Sequence, residues 1–135
     1  MDNLLQSILL VDDDDATIFY YRIIIEHAGF KVQVSVAKNG KIAMAYLDSA
    51  IAGKAPLPNL ILLDINMPVM NGWDFMDVYR ELPEECRSKM IVVMLTSSLN
   101  PDDVVRAGKY PDIKEFRIKP LSPEILNELR DRYFG

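Results

Sequence analysis

Five short apolar runs recur along this chain, spaced about 25 residues apart. Four of them end in a side chain suited to phosphoryl chemistry: ILLV before Asp12 and Asp13, LILL before Asp64, IVVML before Thr96, and EFRI before Lys119. Runs this short, separated by amphipathic stretches, read as parallel strands joined by helical crossovers. A parallel sheet offers its ligand sites at the carboxyl ends of its strands. All four groups are therefore expected at one edge of the sheet.

Periodicity predicts strands over 7–12, 31–36, 59–64, 90–95 and 114–118, and helices over 15–28, 40–53, 72–82, 101–109 and 122–132. The grammar is βα repeated five times, an α/β doubly wound (βα)5 fold with flavodoxin-like layering. It predicts a three-layer sandwich around a parallel five-stranded sheet, in the order 2-1-3-4-5 usual for such sheets. The five units use the whole of residues 1–135, so one domain is expected, with no separate output domain. Helix starts are marked where Asn100 precedes Pro101, Asp102 and Asp103, and where Ser122 precedes Pro123 and Glu124. Each gives a cap, a first-turn proline and acid at the positive helix end.

Half of the 135 residues are apolar, enough for a core without metals or disulfides. The net charge of -5 gives no basic patch for a phosphate backbone, so nucleic acid is not expected as a direct partner. A single cysteine, Cys86, has no disulfide partner in the chain, and PEECRSK reads as a surface connection; a reducing cytoplasm fits. The start, MDNLLQS, has no basic region leading an apolar core, and no run approaches the ~20 apolar residues of a membrane span.

The acidic run Asp12 to Asp15 has a plain reading as a solvated, helix-capping loop. Its start at the end of an apolar strand divides the labour: Asp12 and Asp13 fall at the sheet edge, and Asp14 or Asp15 at the cap. With Asp64 ending the neighbouring strand, three carboxylates converge. Two charges ~4 Å apart at an effective dielectric of ~20 repel by about 4 kcal/mol, so the cluster calls for a cation. Mg2+, which takes carboxylate oxygens plus water and bridges to phosphate, answers that repulsion, and no calcium-loop pattern is present. Thr96 alone reads as a turn former and Lys119 as a solvated lysine. Together at two more strand ends they supply a hydroxyl and an ammonium for a phosphoryl group on Asp64. Pro120, directly after Lys119, is expected in the cis form, turning the ammonium inward.

LLVDDD, LILLDINMPVMNGWDF, MLTSS and FRIKPL, in that order and spacing, resemble the receiver domains of bacterial response regulators, the single-domain CheY-like type above all. The resemblance spans essentially the whole chain. It implies that Asp64 is the phosphoacceptor, that Asp13 ligates Mg2+ directly and Asp12 largely through water, and that the Asn66 backbone carbonyl completes the protein ligands. It implies that Thr96 and Lys119 hold the phosphoryl group, with the side chains of Asn66 and Ser98 flanking it. Phe116 takes the place of the aromatic that reorients on activation, without the hydroxyl often found there. The phosphoryl donor implied is a sensor histidine kinase or a histidine phosphotransfer protein. Signalling would follow through the 101–132 face to a downstream protein, with Val104, Val105 and Gly108 making helix 101–109 weak enough to switch. No catalysis is implied beyond the chain's own phosphorylation and dephosphorylation.

Other readings remain at this point. Asp13, Asp15 and Thr17 also parse as the opening of an aspartate-nucleophile phosphohydrolase. A flavin-binding domain of the same layering is disfavoured, because aspartates occupy the turn where an anion would bind. A pseudo-receiver would serve only as an interaction module. His27 reads as a cation at a helix end, and Trp73, Phe75 and Met76 as packing near the rim. The Met67-Pro68 and Asn71-Gly72 pairs read as turn chemistry, and the IIIEHAGF and AMAYLDSAI stripes as core-facing.

Overall fold

The computed structural model describes residues 4–29, 31–98 and 100–134. Phe30 of the IIIEHAGF stripe and residues 1–3 of the amino-terminal stretch lie outside them. The elements run β1 (Ser7–Val11), α1 (Asp15–His27), β2 (Gln33–Ala37), α2 (Gly40–Ile51), β3 (Leu60–Asp64), α3 (Gly72–Tyr79), α4 (Glu84–Arg87), β4 (Ile91–Thr96), α5 (Pro101–Ala107), β5 (Ile113–Ile118) and α6 (Pro123–Tyr133). All pairings are parallel, in the order β2-β1-β3-β4-β5.

Alternation along the strands feeds two cores. Leu9, Val11, Ile61, Leu63 and Met94 face α2, α3 and α5, while Ile8, Leu10, Leu60, Leu62, Val93 and Leu95 face α1 and α6. β1 and β3 are buried at every position, so they read as unbroken apolar runs. The edge strands β2 and β5 are only partly buried. Burying a large aliphatic side chain contributes about 1.5–3 kcal/mol, so the fold is held at its three central strands.

The departures from expectation are local. PEECRSK is not a plain surface connection: Glu84–Arg87 forms a short helix, and Cys86 packs partly buried against the α2/α3 core. Arg87 fastens that helix, its Nε donating to the Leu82 carbonyl at 2.8 Å and its Nη1 meeting Asp112 at 3.0 Å. β1 stops at Val11 rather than residue 12, because the Asp12 side chain turns to accept from the Asp14 N–H at 2.9 Å. β2 begins at Gln33 rather than residue 31; the Gln33 N–H bonds the Gln6 carbonyl at 2.9 Å, and the register starts at Ser7. The helix expected to 82 ends at Tyr79, close before Pro83, and that expected to 109 ends at Ala107 with Gly108 as its cap. Asn71 is the cap of α3 rather than a turn residue: it accepts from the Asp74 N–H at 2.9 Å while Asp74 reaches back.

Candidate functional site

Four strand ends meet at one edge of the sheet. Asp12 follows β1, with its N–H donated to the Ala37 carbonyl of β2 at 3.1 Å. Asp64 is the last residue of β3, Thr96 the last of β4, and Lys119 directly follows β5 and precedes Pro120 through a cis bond. The Lys119 N–H bonds the Thr96 carbonyl at 2.6 Å, tying the last two ends together. Asp14 caps α1, accepting from the Thr17 N–H at 3.0 Å, which leaves Asp12 and Asp13 to the site.

Carboxylate oxygens of Asp12, Asp13 and Asp64 lie within 4.8 Å of one another. Asp12 and Asp64 are buried, at 3% and 7% exposure, and Asp13 is open to solvent. Lys119 Nζ sits between the two buried acids, 2.7 Å from Asp12 Oδ2 and 3.4 Å from Asp64 Oδ1. Burial, and then the charge of Asp12, push the Asp64 carboxyl above its ordinary range; the ammonium of Lys119 pulls it back only in part. Burial would lower Lys119, but its hydrogen bond to Asp12 and the charges of Asp64 and Asp12 outweigh that and raise it, so it stays an ammonium. Three carboxylates against one ammonium form an oxygen-rich donor set with one open flank, which fits a small hard divalent cation such as Mg2+.

Thr96 is buried, but its hydroxyl turns into its own loop, donating to the Ser98 carbonyl at 2.9 Å. The side chains of Asn66 and Ser98 are exposed, on the loops that follow β3 and β4. Phe116 is half-buried on β5 and packs on the α2/α3 core. The alternative grouping of Asp13, Asp15 and Thr17 is not assembled: Asp15 pairs with Lys38, and Thr17 bonds Asp14.

Two glycines shape the walls, Gly72 by close packing beyond its turn chemistry and Gly40 without any sequence signal. A Cβ on Gly72 would stand 2.5 Å from the Asp64 carbonyl oxygen, so α3 starts directly against the end of β3. A Cβ on Gly40 would meet Met70 Cγ at 2.7 Å, and the Gly40 N–H bonds the Met70 carbonyl at 2.8 Å, docking the β3–α3 loop on α2. Between them Val69, 78% exposed, holds a φ of 69°, a conformation that disfavours a β-branched residue. A cleft of about 330 Å³ opens beside Lys119, lined by Asp14, Thr17, Tyr20, Ser97, Lys119 and Pro120 among others.

Residues 8–130 match the family model described as the response regulator receiver domain. A probable methanogenesis regulatory protein, FilR2, of Methanothrix harundinacea is 32% identical over 133 residues, covering 95% of this chain and 83% of that one. The crystal structure of a two component response regulator from Cytophaga hutchinsonii superposes with a TM-score of 0.86 at 32% identity, covering 96% of this chain and 97% of the other. The Mn(2+)-bound form of response regulator Rcp1 gives 0.79 at 25% identity, covering 96% and 95%. The chain also spans about half (52%) of the DNA-binding response regulator MtrA of Mycolicibacterium smegmatis, at 32% identity.

Proposed function

Because the chain belongs to the response regulator receiver domain family, we propose that it takes a phosphoryl group onto Asp64 from a phosphohistidine of a sensor kinase or phosphotransfer protein. The observation that carries this reading is the cluster of Asp12, Asp13 and Asp64 with Lys119 bridging its two buried members. Asp12, Asp13, Asp64 and the Asn66 carbonyl are the groups that would hold Mg2+, whose bound charge would offset the phosphoryl oxygens. The manganese form of a similar receiver supports a divalent site here.

In the proposed transfer an Asp64 oxygen bonds to phosphorus as the P–N bond breaks, the electron pair leaving on the imidazole nitrogen. The chain contributes positioning and charge. Gly72 and the fully buried β3 hold the nucleophile still. Lys119 needs only a short shift from Asp12 toward Asp64 to meet the added charge. Thr96 exchanges its bond to Ser98 for a phosphoryl oxygen, and Phe116 follows into the space released. The rearranged α5–β5–α6 face then meets a downstream protein. Hydrolysis of the acyl phosphate by water restores the carboxylate.

Intact mass after incubation with a small acyl-phosphate donor tests this reading on the native protein and on Asp64→Ala, with and without Mg2+. One phosphoryl adduct that needs both Asp64 and Mg2+ is expected. A folded native protein that takes no adduct, or an adduct that survives in Asp64→Ala, would overturn it.

A further inference from the structure

The densest constellation outside the site joins α3 to α5. The rings of Trp73 and Tyr110 stack with centroids 5.8 Å apart at 30°. The Arg106 guanidinium lies 4.7 Å over the Trp73 ring, and that of Arg80 lies 5.2 Å over Tyr110. The Tyr110 hydroxyl donates to Asp77 at 2.6 Å, and Asp77 pairs with Arg80 at 3.4 Å. The order is cation, ring, ring, cation. α3 supplies Trp73 and Asp77 and its C-cap supplies Arg80; α5 supplies Arg106, and the turn leaving it supplies Tyr110.

Beyond its packing on β5, α5 buries little. It is seven residues long, Ala107 is its one buried side chain, and Val104 and Val105 are 43% and 66% exposed. A helix this short does not stand without tertiary contacts. The fixed end of the ladder, by contrast, is anchored at the end of β3, since Trp73 follows the glycine pressed against the Asp64 backbone. Both rings are buried, at 4% and 8% exposure, so each cation covers an aromatic face already withdrawn from water.

We propose that this ladder is a latch holding α5 against α3, in which Arg106 and Tyr110 set how often α5 lifts away from the body. Loss of either rung frees α5 locally and leaves the sheet as stable as before. The consequence for signalling rests on the receiver reading above. The latch itself is measured on unphosphorylated protein, so the two fail separately: absence of acyl-phosphate labelling would remove the receiver reading and leave the latch standing.

The test is amide hydrogen exchange, read by peptide mass spectrometry, on the native chain, Arg106→Gln, Tyr110→Phe and Arg106→Lys. Exchange over 101–107 is expected to quicken about two- to tenfold in Arg106→Gln and in Tyr110→Phe, which keeps the ring and loses the bond to Asp77, with β1 and β3 unchanged. Arg106→Lys, which keeps a cation over the indole, is expected to recover most of the protection. Unchanged exchange over 101–107, acceleration spread evenly along the chain, or Arg106→Lys exchanging as fast as Arg106→Gln would overturn the latch.

Discussion

Asp64 on β3 and Glu115 on β5 are carboxylates two strands apart in one sheet, and their surroundings push them in opposite directions. Asp64 lies on a strand buried at every position, and burial and a second acid hold its carboxyl above the ordinary range. Glu115 is also withdrawn from water, which alone would raise it. Hydrogen bonds from Arg117, Arg132 and the Tyr133 hydroxyl outweigh that and hold it low. Arg117 reaches on to Glu128 of α6 at 2.7 Å. The half of the site carried by β3 is thus set in apolar packing, with its charge only partly offset by Lys119. The half carried by β5 sits on a partly buried edge strand that pairs with β4 on one side only and adds ion pairs to α6.

Four measurements break or sharpen that contrast. The largest effect belongs to packing: Leu63→Ala in β3 is expected to lower unfolding free energy by about 2–5 kcal/mol, and Ile113→Ala in β5 by less than about 2 kcal/mol. Equal losses in urea titrations would erase the distinction. Next is Gly72→Ala, whose new methyl meets backbone rather than a movable side chain; a loss of about 1–3 kcal/mol is expected, together with slower acyl-phosphate labelling of Asp64.

The third is Glu115→Gln, expected to lose about 1–2 kcal/mol at neutral pH by leaving two arginines short of a partner. A carboxyl held low in the folded state stabilises above the ordinary glutamate range, and that contribution fades as pH falls through the folded value. The gap between the native chain and Glu115→Gln should therefore close in acid; a gap constant with pH would mean the pairing is not electrostatic. The smallest effect has the opposite sign. Folding raises the Asp64 carboxyl, so stability is lost as pH climbs through that raised value. In chelator, Asp64→Asn is expected to melt slightly above the native chain at neutral pH, the gain vanishing in acid. A lower melting temperature at neutral pH would show that Lys119 satisfies Asp64 fully.

What was legible in the sequence follows the same division. The central strands announce themselves because burial on both faces demands unbroken apolar runs, and the polar residue ending each run marks the site edge. The placing of Asp12, Asp13, Asp64, Thr96 and Lys119 at strand ends could be read from that, while the strand order came from the arrangement usual for such sheets. The edge strand β2 was less exact, starting at Gln33 rather than residue 31, whereas β5 was placed to within a residue; the partners of Glu115 and Arg117 on α6 lie out of reach of local periodicity. The short helix at Glu84–Arg87 escaped notice because four residues carry no helical period. The hydroxyl of Thr96 turns toward Ser98, a rotamer that no pattern encodes. Gly72 looked like a turn residue, since the Asp64 carbonyl it leans on is eight positions away.

Trp73 is the only tryptophan in the chain, and it lies between the start of α3 at the end of β3 and the cation carried by α5. An indole excited at the red edge of protein absorption emits according to its local field, and here the Arg106 guanidinium lies 4.7 Å over the ring. The molecule consequently carries its own optical gauge. Withdrawal of Arg106 should shift the emission of one residue, in real time and without a label, giving α5 a clock fast enough to time its motion against chemistry at Asp64.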